Sequence, residues 1–405
     1  MDTSVIEQFV LLTVIGAVVA IVAHRLHIPY TVGLVVAGLV MAVLPIRIDL
    51  PFNKDFLFEV LLPPLIFEAA LYIEWRELRR DMIVVGTYAV IGVILSLLVT
   101  AAVMHIAIGW TWPAAVLFGV LIAATDPVSI IATFKEAKVE GRLRLLVEAE
   151  SLFNDSTAAV GFAVAVAFAL GEALSPAAAV WQLVSSAIGG AIVGAGVAVI
   201  ALLIIGRTKD HLAELAMTTF AAFGSFWAAE HFGLSGILST TASGLIIGNR
   251  IGRGSITMRG EESMEHFWEF AAFVSNSVIF IILGINLASQ DFESSGLLVL
   301  FAIIAVLAGR VAAVYPLSAL YGRSSWRVPM QYQHTLFWGG LRGSLALALA
   351  LGVPVTVPYR TEILIATFGV VAFSIFIQGS TVTPLMRFLG ELPAKNDRSA
   401  LHEPK

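Results

Sequence analysis

Apolar runs of membrane-spanning length recur along the whole of this 405-residue chain. The hydrocarbon core of a bilayer is about 30 Å thick, so a crossing helix needs roughly 20 apolar residues. Runs near that length lie at residues 5–23, 30–45, 56–75, 82–106, 113–134, 145–170, 178–205, 211–230, 234–249, 263–288, 296–321, 332–353 and 361–387. The fold class that follows is an all-α polytopic membrane protein with about 13 transmembrane helices.

The composition agrees with a membrane location. Apolar residues make up 58% of the chain and charged residues 13%, whereas soluble proteins average roughly 45–50% and about 25%. The first residues, up to Glu7, lack the basic region and the cleavage site of a signal peptide. We therefore expect the first apolar run to remain as a span.

The basic residues fall mainly on one side of the predicted spans. Nineteen of the 24 Lys and Arg residues lie in connections after odd-numbered spans or in the tail. Connections after even-numbered spans contain only Arg47, Lys54 and Arg360. Because cytoplasmic connections are enriched in Lys and Arg, we expect a plasma-membrane or inner-membrane protein with an external N-terminus and a cytoplasmic C-terminus.

The composition also argues against several kinds of site. The chain has no cysteine, which excludes disulfides, thiolate metal sites and a cysteine nucleophile. Its net charge is −5 with dispersed basic residues, so it has no basic stripe for nucleic acid. No pair of its histidines has helical spacing with a nearby acid, so no zinc or haem site is expected. We expect no cofactor.

Thr125-Asp126-Pro127 interrupts the fifth apolar run. Pro127 has no N–H to donate, and it biases Asp126 away from helical dihedral angles. The fifth span should therefore break at Thr125 and Asp126 and leave carbonyl groups open at membrane depth. Secondary transporters bind cations at such interrupted helices, although a simple proline kink is the alternative.

A polar cluster between residues 150 and 155 lies in the sixth run. Ser151 and Asp155 share one helical face, and Glu150 and Asn154 share the adjacent face. A carboxylate at membrane depth is unfavourable and is typical of ion or proton pathways. Asp155 and Ser151 would offer hard oxygen ligands to an alkali cation, and Asp155 could bind a proton instead. A solvated loop after Arg144 is the alternative.

Arg310 and Arg342 are the basic residues that fall inside predicted spans. They are candidate partners for Glu150, because an unpaired buried charge is very unfavourable. Three glycines surround Arg342 within residues 339–343 and permit either unwinding or tight helix packing. Spans five and twelve would then be interrupted at corresponding positions of two halves, as in many transporters.

These polar blocks resemble the signature blocks of sodium/proton antiporters in the monovalent cation:proton antiporter family. The blocks are, in family order, residues 63–68 (PPLIFE), 125–128 (TDPV), 150–155 (ESLFND), 235–238 (SGIL) and 339–343 (GGLRG). Each block alone is short, but their common order makes the resemblance specific.

The resemblance implies a homodimer with thirteen spans per subunit, inverted repeats and two discontinuous crossing helices, spans five and twelve. It divides the chain into a membrane domain (1–390), with a dimer scaffold (about 1–80 and 178–290) and a mobile core (about 82–170 and 296–388), and a short cytoplasmic tail (391–405). The Asn154-Asp155 pair resembles the electroneutral prokaryotic branch of the family.

The resemblance also implies roles for the polar residues around the breaks. Asp126 would order water and the crossing helices, and Asn154 would stabilise the site. Glu150 resembles the acid that pairs with Arg342, and Arg310 would belong to the same network.

The function implied is exchange of Na⁺, and also of Li⁺, for protons by alternating access, with cation and proton competing for Asp155. Ser151, the Thr125 carbonyl and Glu68 would complete or surround the cation site. Alternatives are K⁺/H⁺ exchange at the same site, a cation channel, and an intramembrane aspartyl protease that uses Asp126 and Asp155. No Gly-x-Gly-Asp motif supports the protease, and a channel needs no titrating acid. We therefore expect a transporter and not an enzyme.

Overall fold

The computed structural model describes residues 3–26, 28–44, 56–137, 139–172, 175–250 and 256–392. Over these residues the chain is helical and contains no strand. The helices are, in chain order, α1 (Thr3–Leu26), α2 (Tyr30–Val43), α3 (Leu62–Leu71), α4 (Trp75–Gly86), α5 (Val93–Ile108), α6 (Trp112–Leu121), α7 (Val128–Ala137), α8 (Arg142–Ala169), α9 (Pro176–Ile205), α10 (His211–Thr219), α11 (Ser225–His231), α12 (Gly236–Gly248), α13 (Met258–Ala288), α14 (Phe292–Leu320), α15 (Met330–Gly339), α16 (Ser344–Leu351), α17 (Arg360–Phe373) and α18 (Gly379–Phe388).

Short π-helical turns extend or join some of these helices. They lie at Leu57–Leu61 before α3, Thr87–Gly92 between α4 and α5, Phe220–Gly224 between α10 and α11, and Ser374–Gln378 between α17 and α18. The last three turns therefore join their flanking helices into single long ones.

The helices account for the predicted spans. Eight of those described are long and apolar enough to cross a bilayer, and α2, α6 and α12 are shorter apolar helices. Each of the 13 predicted runs coincides with one helix, with helices joined by a π-helical turn, or with one of the broken pairs α6–α7 and α15–α16. The prediction of an all-α polytopic membrane protein is confirmed.

Two predictions rest partly on residues outside the described chain. The predicted orientation used basic residues that are not described, namely Arg47, Lys54, Lys138, Arg253, Lys395, Arg398 and Lys405. The predicted tail, residues 391–405, is described only as far as Leu392.

Side chains fix the start of many helices. Ser175, Asp210, Ser235, Thr257 and Asp291 each accept a hydrogen bond from an N–H in the first turn of the helix that follows. Such a cap satisfies a backbone donor that the helix leaves open and typically contributes about 1 kcal/mol. These helix starts are thus encoded locally.

The helices pack mainly within two groups. One group contains α1–α3 and α9–α13, in which α2 packs along α13 and α9 packs along α12. The other group contains α4–α8 and α14–α18, in which α5 packs along α14 and α6 along α8. The groups touch chiefly where α8 meets α3, α9 and α12, and where α13 meets α16 and α17.

The crossing of α2 and α13 is close because two glycines face each other there. A Cβ added to Gly38 would overlap the carbonyl oxygen of Ile281, and one added to Gly284 would overlap the carbonyl oxygen of Val35. Small residues allow this approach in membranes, where packing drives helix association.

Replacing Gly38 with leucine should therefore destabilise the protein. The new side chain meets backbone atoms that cannot move aside without separating α2 from α13, and overpacking of this kind costs about 1–3 kcal/mol or more. Gly196→Leu is the matched control, because a Cβ there meets nothing within 4 Å. Thermal unfolding of the detergent-purified variants should show a loss for Gly38→Leu alone. Equal melting of the two variants would contradict the close crossing.

Candidate functional site

Two interrupted helices cross each other in the second helix group. The chain leaves helical geometry between α6 and α7 and again between α15 and α16. The extended links touch, since the Asp126 N–H donates to the Leu341 carbonyl oxygen at 2.8 Å. Both predicted interruptions, at Thr125-Asp126-Pro127 and within residues 339–343, are therefore confirmed.

The Asp126 carboxylate caps the two half-helices that begin at this crossing. Its Oδ1 accepts from the Val128 N–H of α7 at 3.0 Å, and its Oδ2 accepts from the Ser344 N–H of α16 at 3.1 Å. A Cβ at Gly343 would overlap this carboxylate, so a glycine is required there. Negative charge at a helix N-terminus is favourable. Asp126 thus holds both half-helices together.

Two buried arginines bind the carbonyl groups at the opposite helix ends. Arg342 Nη1 donates to the carbonyl oxygens of Ala123 and Ala124, just beyond α6, at 2.8 and 2.9 Å. Arg310 donates from Nε and Nη2 to the Leu336 carbonyl in the last turn of α15, at 3.2 and 2.8 Å. Positive charge at a helix C-terminus is favourable. Each of the four open ends therefore has a counter-charge.

Glu150 pairs with Arg310 and not with Arg342. Arg310 Nη1 and Nη2 lie 2.6 and 2.8 Å from the two Glu150 carboxylate oxygens, and both side chains are buried. The expected Glu150–Arg342 pair is therefore wrong. Arg342 lies on the extended link, where its guanidinium donates to the carbonyls after α6. Arg310 of α14 instead makes a bidentate pair with the Glu150 carboxylate of α8.

Ser151 and Asn154 bind the backbone at the first break. Ser151 Oγ donates to the Thr125 carbonyl oxygen. Asn154 Oδ1 accepts from the Thr125 N–H at 3.1 Å, and its Nδ2 donates to Thr125 Oγ1 at 2.7 Å. Helix α8 runs unbroken through these buried residues. The alternative of a solvated loop after Arg144 is therefore wrong.

Asp155 differs from the other acids of the crossing. Its Oδ1 is buried and has no hydrogen-bond partner among the described residues, whereas Asp126 is bound by N–H groups and Glu150 by Arg310. Asp155 lines a cavity of about 270 Å³ together with Asp126, Ser151 and Glu68. Asp155 is thus placed to bind a small cation or a proton that enters this cavity.

The cavity also contains residues that the sequence did not single out. Asn276 of α13 lines it and has a buried Oδ1 without a partner in the described chain. Lys135 of α7 lies 3.6 Å from Glu68 and 3.3 Å from Glu269. A polar residue inside an apolar run was the available signal for Asn276. Lys135 is one of the nineteen basic residues that the sequence pattern assigned to the cytoplasmic side.

Three other cavities among the described residues are larger. They lie beside Asp81 and Arg142 (about 480 Å³), beside Glu59 and Ser235 (about 490 Å³), and beside Phe9 and Phe270 (about 420 Å³). None of them is lined by an acid of the helix crossing. The cavity at Asp155 is therefore the candidate site.

Crossed broken helices with charged side chains at their open ends are typical of secondary transporters. The transmembrane sodium/hydrogen exchanger family matches residues 10–388 of this chain. The chain belongs to this family, and it is a multi-pass membrane protein. The family resemblance inferred from the five sequence blocks is confirmed.

Individual relatives agree with this assignment. The chain is 35% identical to the Na⁺/H⁺ antiporter ApNhaP of Aphanothece halophytica, over 98% of this chain and 77% of that protein. It is 31% identical to the low-affinity Na⁺/H⁺ antiporter NhaS1 of Synechocystis sp., with the same two coverages. These relatives are transporters by name, which confirms the predicted class.

The fold is that of a solved antiporter. The structure of the sodium proton antiporter MjNhaP1 from Methanocaldococcus jannaschii superposes with a TM-score of 0.76 at 22% identity. The match covers 95% of this chain and 99% of that chain. The predicted all-α membrane fold is therefore confirmed.

The Glu150–Arg310 pair should make a large contribution to stability. Glu150→Ala and Arg310→Ala should each destabilise the protein by roughly 3–5 kcal/mol, because each strands a buried charge. The double variant should lose less than the sum of the two. Thermal unfolding in detergent measures these losses.

The Asp81–Arg142 pair provides the control. Its Nη2–Oδ1 distance is also 2.6 Å, but the Arg142 side chain is 29% exposed. Removing either of its partners should lower the melting temperature less. Additive losses for Glu150→Ala and Arg310→Ala, or coupling of Glu150 to Arg342 instead, would contradict the pairing.

Proposed function

We propose that this chain is an antiporter that exchanges Na⁺ for protons across the membrane. Its membership of the sodium/hydrogen exchanger family and the names of its relatives support this activity. The observation that carries the proposal is the Asp155 carboxylate, which lines the cavity with a buried and unpartnered oxygen.

Cation and proton compete for Asp155 in this proposal. Carboxylate, hydroxyl and carbonyl oxygens from Asp155, Ser151 and Thr125 are hard ligands suited to Na⁺ and Li⁺. The Ser151 hydroxyl now donates to the Thr125 carbonyl, so it would rotate to present its lone pairs to a bound cation. Glu68 lies on the cavity wall and attracts the cation. A proton on Asp155 removes the charge that holds the cation, so binding of one ion excludes the other.

The charge balance at the crossing supports exchange of one ion for one proton. The crossing contains the carboxylates of Asp126, Glu150 and Asp155 and the guanidinium groups of Arg310 and Arg342, of which Glu150 and Arg310 form an ion pair. With Asp155 ionised, these five groups carry one net negative charge. Either one Na⁺ or one proton brings the cluster to neutrality. The empty site would move a bare charge through low dielectric, which is strongly unfavourable.

Alternating access then moves one helix group against the other. We assign α4–α8 and α14–α18 to the mobile core, and α1–α3 and α9–α13 to the scaffold of a homodimer. Packing that is mainly internal to each group supports this division. The distribution of basic residues supports an external N-terminus and a cytoplasmic C-terminus. Lys135 and Glu148 then mark the cytoplasmic mouth of the cavity.

Two alternatives are an intramembrane aspartyl protease and a K⁺/H⁺ antiporter. An aspartyl protease would need two free carboxylates to activate water, but both oxygens of Asp126 accept hydrogen bonds from the ends of half-helices. Exchange of K⁺ at the same site is an outcome of the transport assay below.

Asp155→Asn should abolish exchange. The amide keeps the shape of the carboxylate but has no exchangeable charge for a cation or a proton. The measurement is proton flux in proteoliposomes after addition of Na⁺, Li⁺ or K⁺.

The matched control is Asp291→Asn, the same chemical change at the exposed cap of α14. Hydrogen bonds from Ser294 hold the pKa of the Asp291 carboxyl below its usual value, so this change also removes a negative charge. Asparagine caps helices equally well, and transport should persist. Sodium-driven proton flux through Asp155→Asn would exclude competition at this acid.

Exchange should also be electroneutral. If one cation moves against one proton, the rate should not respond to a membrane potential, which would otherwise act at about 2.3 kcal/mol per charge per 100 mV. The test is sodium-driven proton flux with and without a potassium potential clamped by valinomycin. A dependence of the rate or end-point on that potential would mean that a second carboxylate, such as Glu68 or Asp126, joins the cycle.

A further inference from the structure

Lys135 bridges the two helix groups at the mouth of the cavity. Its Nζ lies 3.3 Å from Glu269 Oε1 and 3.6 Å from Glu68 Oε1. It also lies 5.8 Å from the centre of the Tyr72 ring, within the range of a cation–π interaction. Lys135 belongs to α7 in the proposed core, whereas Glu68 and Tyr72 lie in or directly after α3 and Glu269 lies in α13 of the proposed scaffold.

A second ion pair near this mouth has a different arrangement. Arg144 Nε lies 2.8 Å from Glu148 Oε1, but both residues belong to α8 and the pair crosses no boundary. Among the described residues that line the cavity, Lys135 alone is cationic. Its ammonium therefore provides the positive charge beside Glu68.

We propose that the Lys135 ammonium is a tethered competitor for cations that enter from the cytoplasmic mouth. This inference rests on the proposed function and adds a residue that sets cation affinity on one side of the membrane. The ammonium carries the same charge as Na⁺ and is held by the carboxylate that a cation would meet on its way to Asp155. An entering cation must displace it.

The exposure of Lys135 suits a competitor that must be displaced in every cycle. Its side chain is 42% exposed, and the partner carboxylates of Glu68 and Glu269 are 19% and 56% exposed. Ion pairs with this exposure are weak and are screened by salt. Displacement also releases a contact between α7 and the opposite helix group, so cation entry and core movement would favour each other.

The proposal predicts a change in affinity on one face only. In Lys135→Met the apolar stem remains but the competing charge is gone. The KM for cytoplasmic Na⁺ should fall about three- to fivefold, the effect expected for loss of a weak ion pair. The KM for Na⁺ at the opposite face should stay within about a factor of two, the scatter of a surface substitution. Exchange is measured in inside-out and right-side-out vesicles, which present the two faces separately.

Two further variants separate competition from other causes. Lys135→Arg keeps the positive charge and should keep the KM near that of the wild type. Arg76→Gln removes an exposed positive charge from the same predicted side of the membrane without touching the cavity, and it should leave the KM for cytoplasmic Na⁺ nearly unchanged. An equal fall of KM in Arg76→Gln would show a general electrostatic effect and would overturn the proposal. So would an unchanged KM in Lys135→Met, or in Lys135→Gln if the methionine variant does not fold.

The failure of this inference is distinct from failure of the proposed function. If the wild-type protein moves no proton in response to Na⁺, the proposed exchange is wrong. If the wild-type protein exchanges Na⁺ for protons but neutral residues at position 135 do not change the cytoplasmic KM, only the role of Lys135 is wrong.

Discussion

Backbone groups left open at membrane depth are the constraint on which this structure depends. Lipid offers no hydrogen bonds, so interrupted helices are tolerated only where protein or a wet cavity supplies partners. Asp126 binds the N–H groups that begin α7 and α16, and Arg342 and Arg310 bind the carbonyls near the ends of α6 and α15. Hydrogen bonds to charged groups contribute roughly 1.5–3 kcal/mol each. The charged residues are therefore first a requirement of the interrupted backbone.

The need to bind these open backbone groups also distinguishes Asp155 from the other acids of the crossing. Asp126 is engaged by the two N-termini and Glu150 by Arg310, so neither carboxylate is free to change its partner without loosening the crossing. Asp155 lies five residues beyond Glu150 on the same helix, and its Oδ1 has no hydrogen-bond partner among the described residues. Because the neighbouring acids hold the helix crossing together, Asp155 is the acid available for the proposed exchange.

Sequence patterns predicted the local features and missed those that depend on distant contacts. Pro127 and the glycines around Arg342 revealed both helix breaks, because these residue types act on their own backbone. The choice between Arg310 and Arg342 as partner of Glu150 could not be made in this way. It depends on how α14 is rotated against α8, and both helices are apolar around much of their circumference. The cavity roles of Lys135 and Asn276 depend on α7 and α13, which are far apart in sequence.

The strengths of the ion pairs follow the proposed movement. Buried or partly buried contacts of Asp126, Arg342 and Arg310 join α6, α7, α8, α14, α15 and α16, all within one helix group. The bridge from Lys135 to Glu68 and Glu269 spans the two groups and is partly exposed. Breaking a buried pair costs roughly 3–5 kcal/mol, whereas an exposed pair contributes about 0–1 kcal/mol. Strong pairs inside the proposed core and weak pairs across its boundary are the arrangement that the proposed movement requires, because the core would then move as one body without disturbing the site.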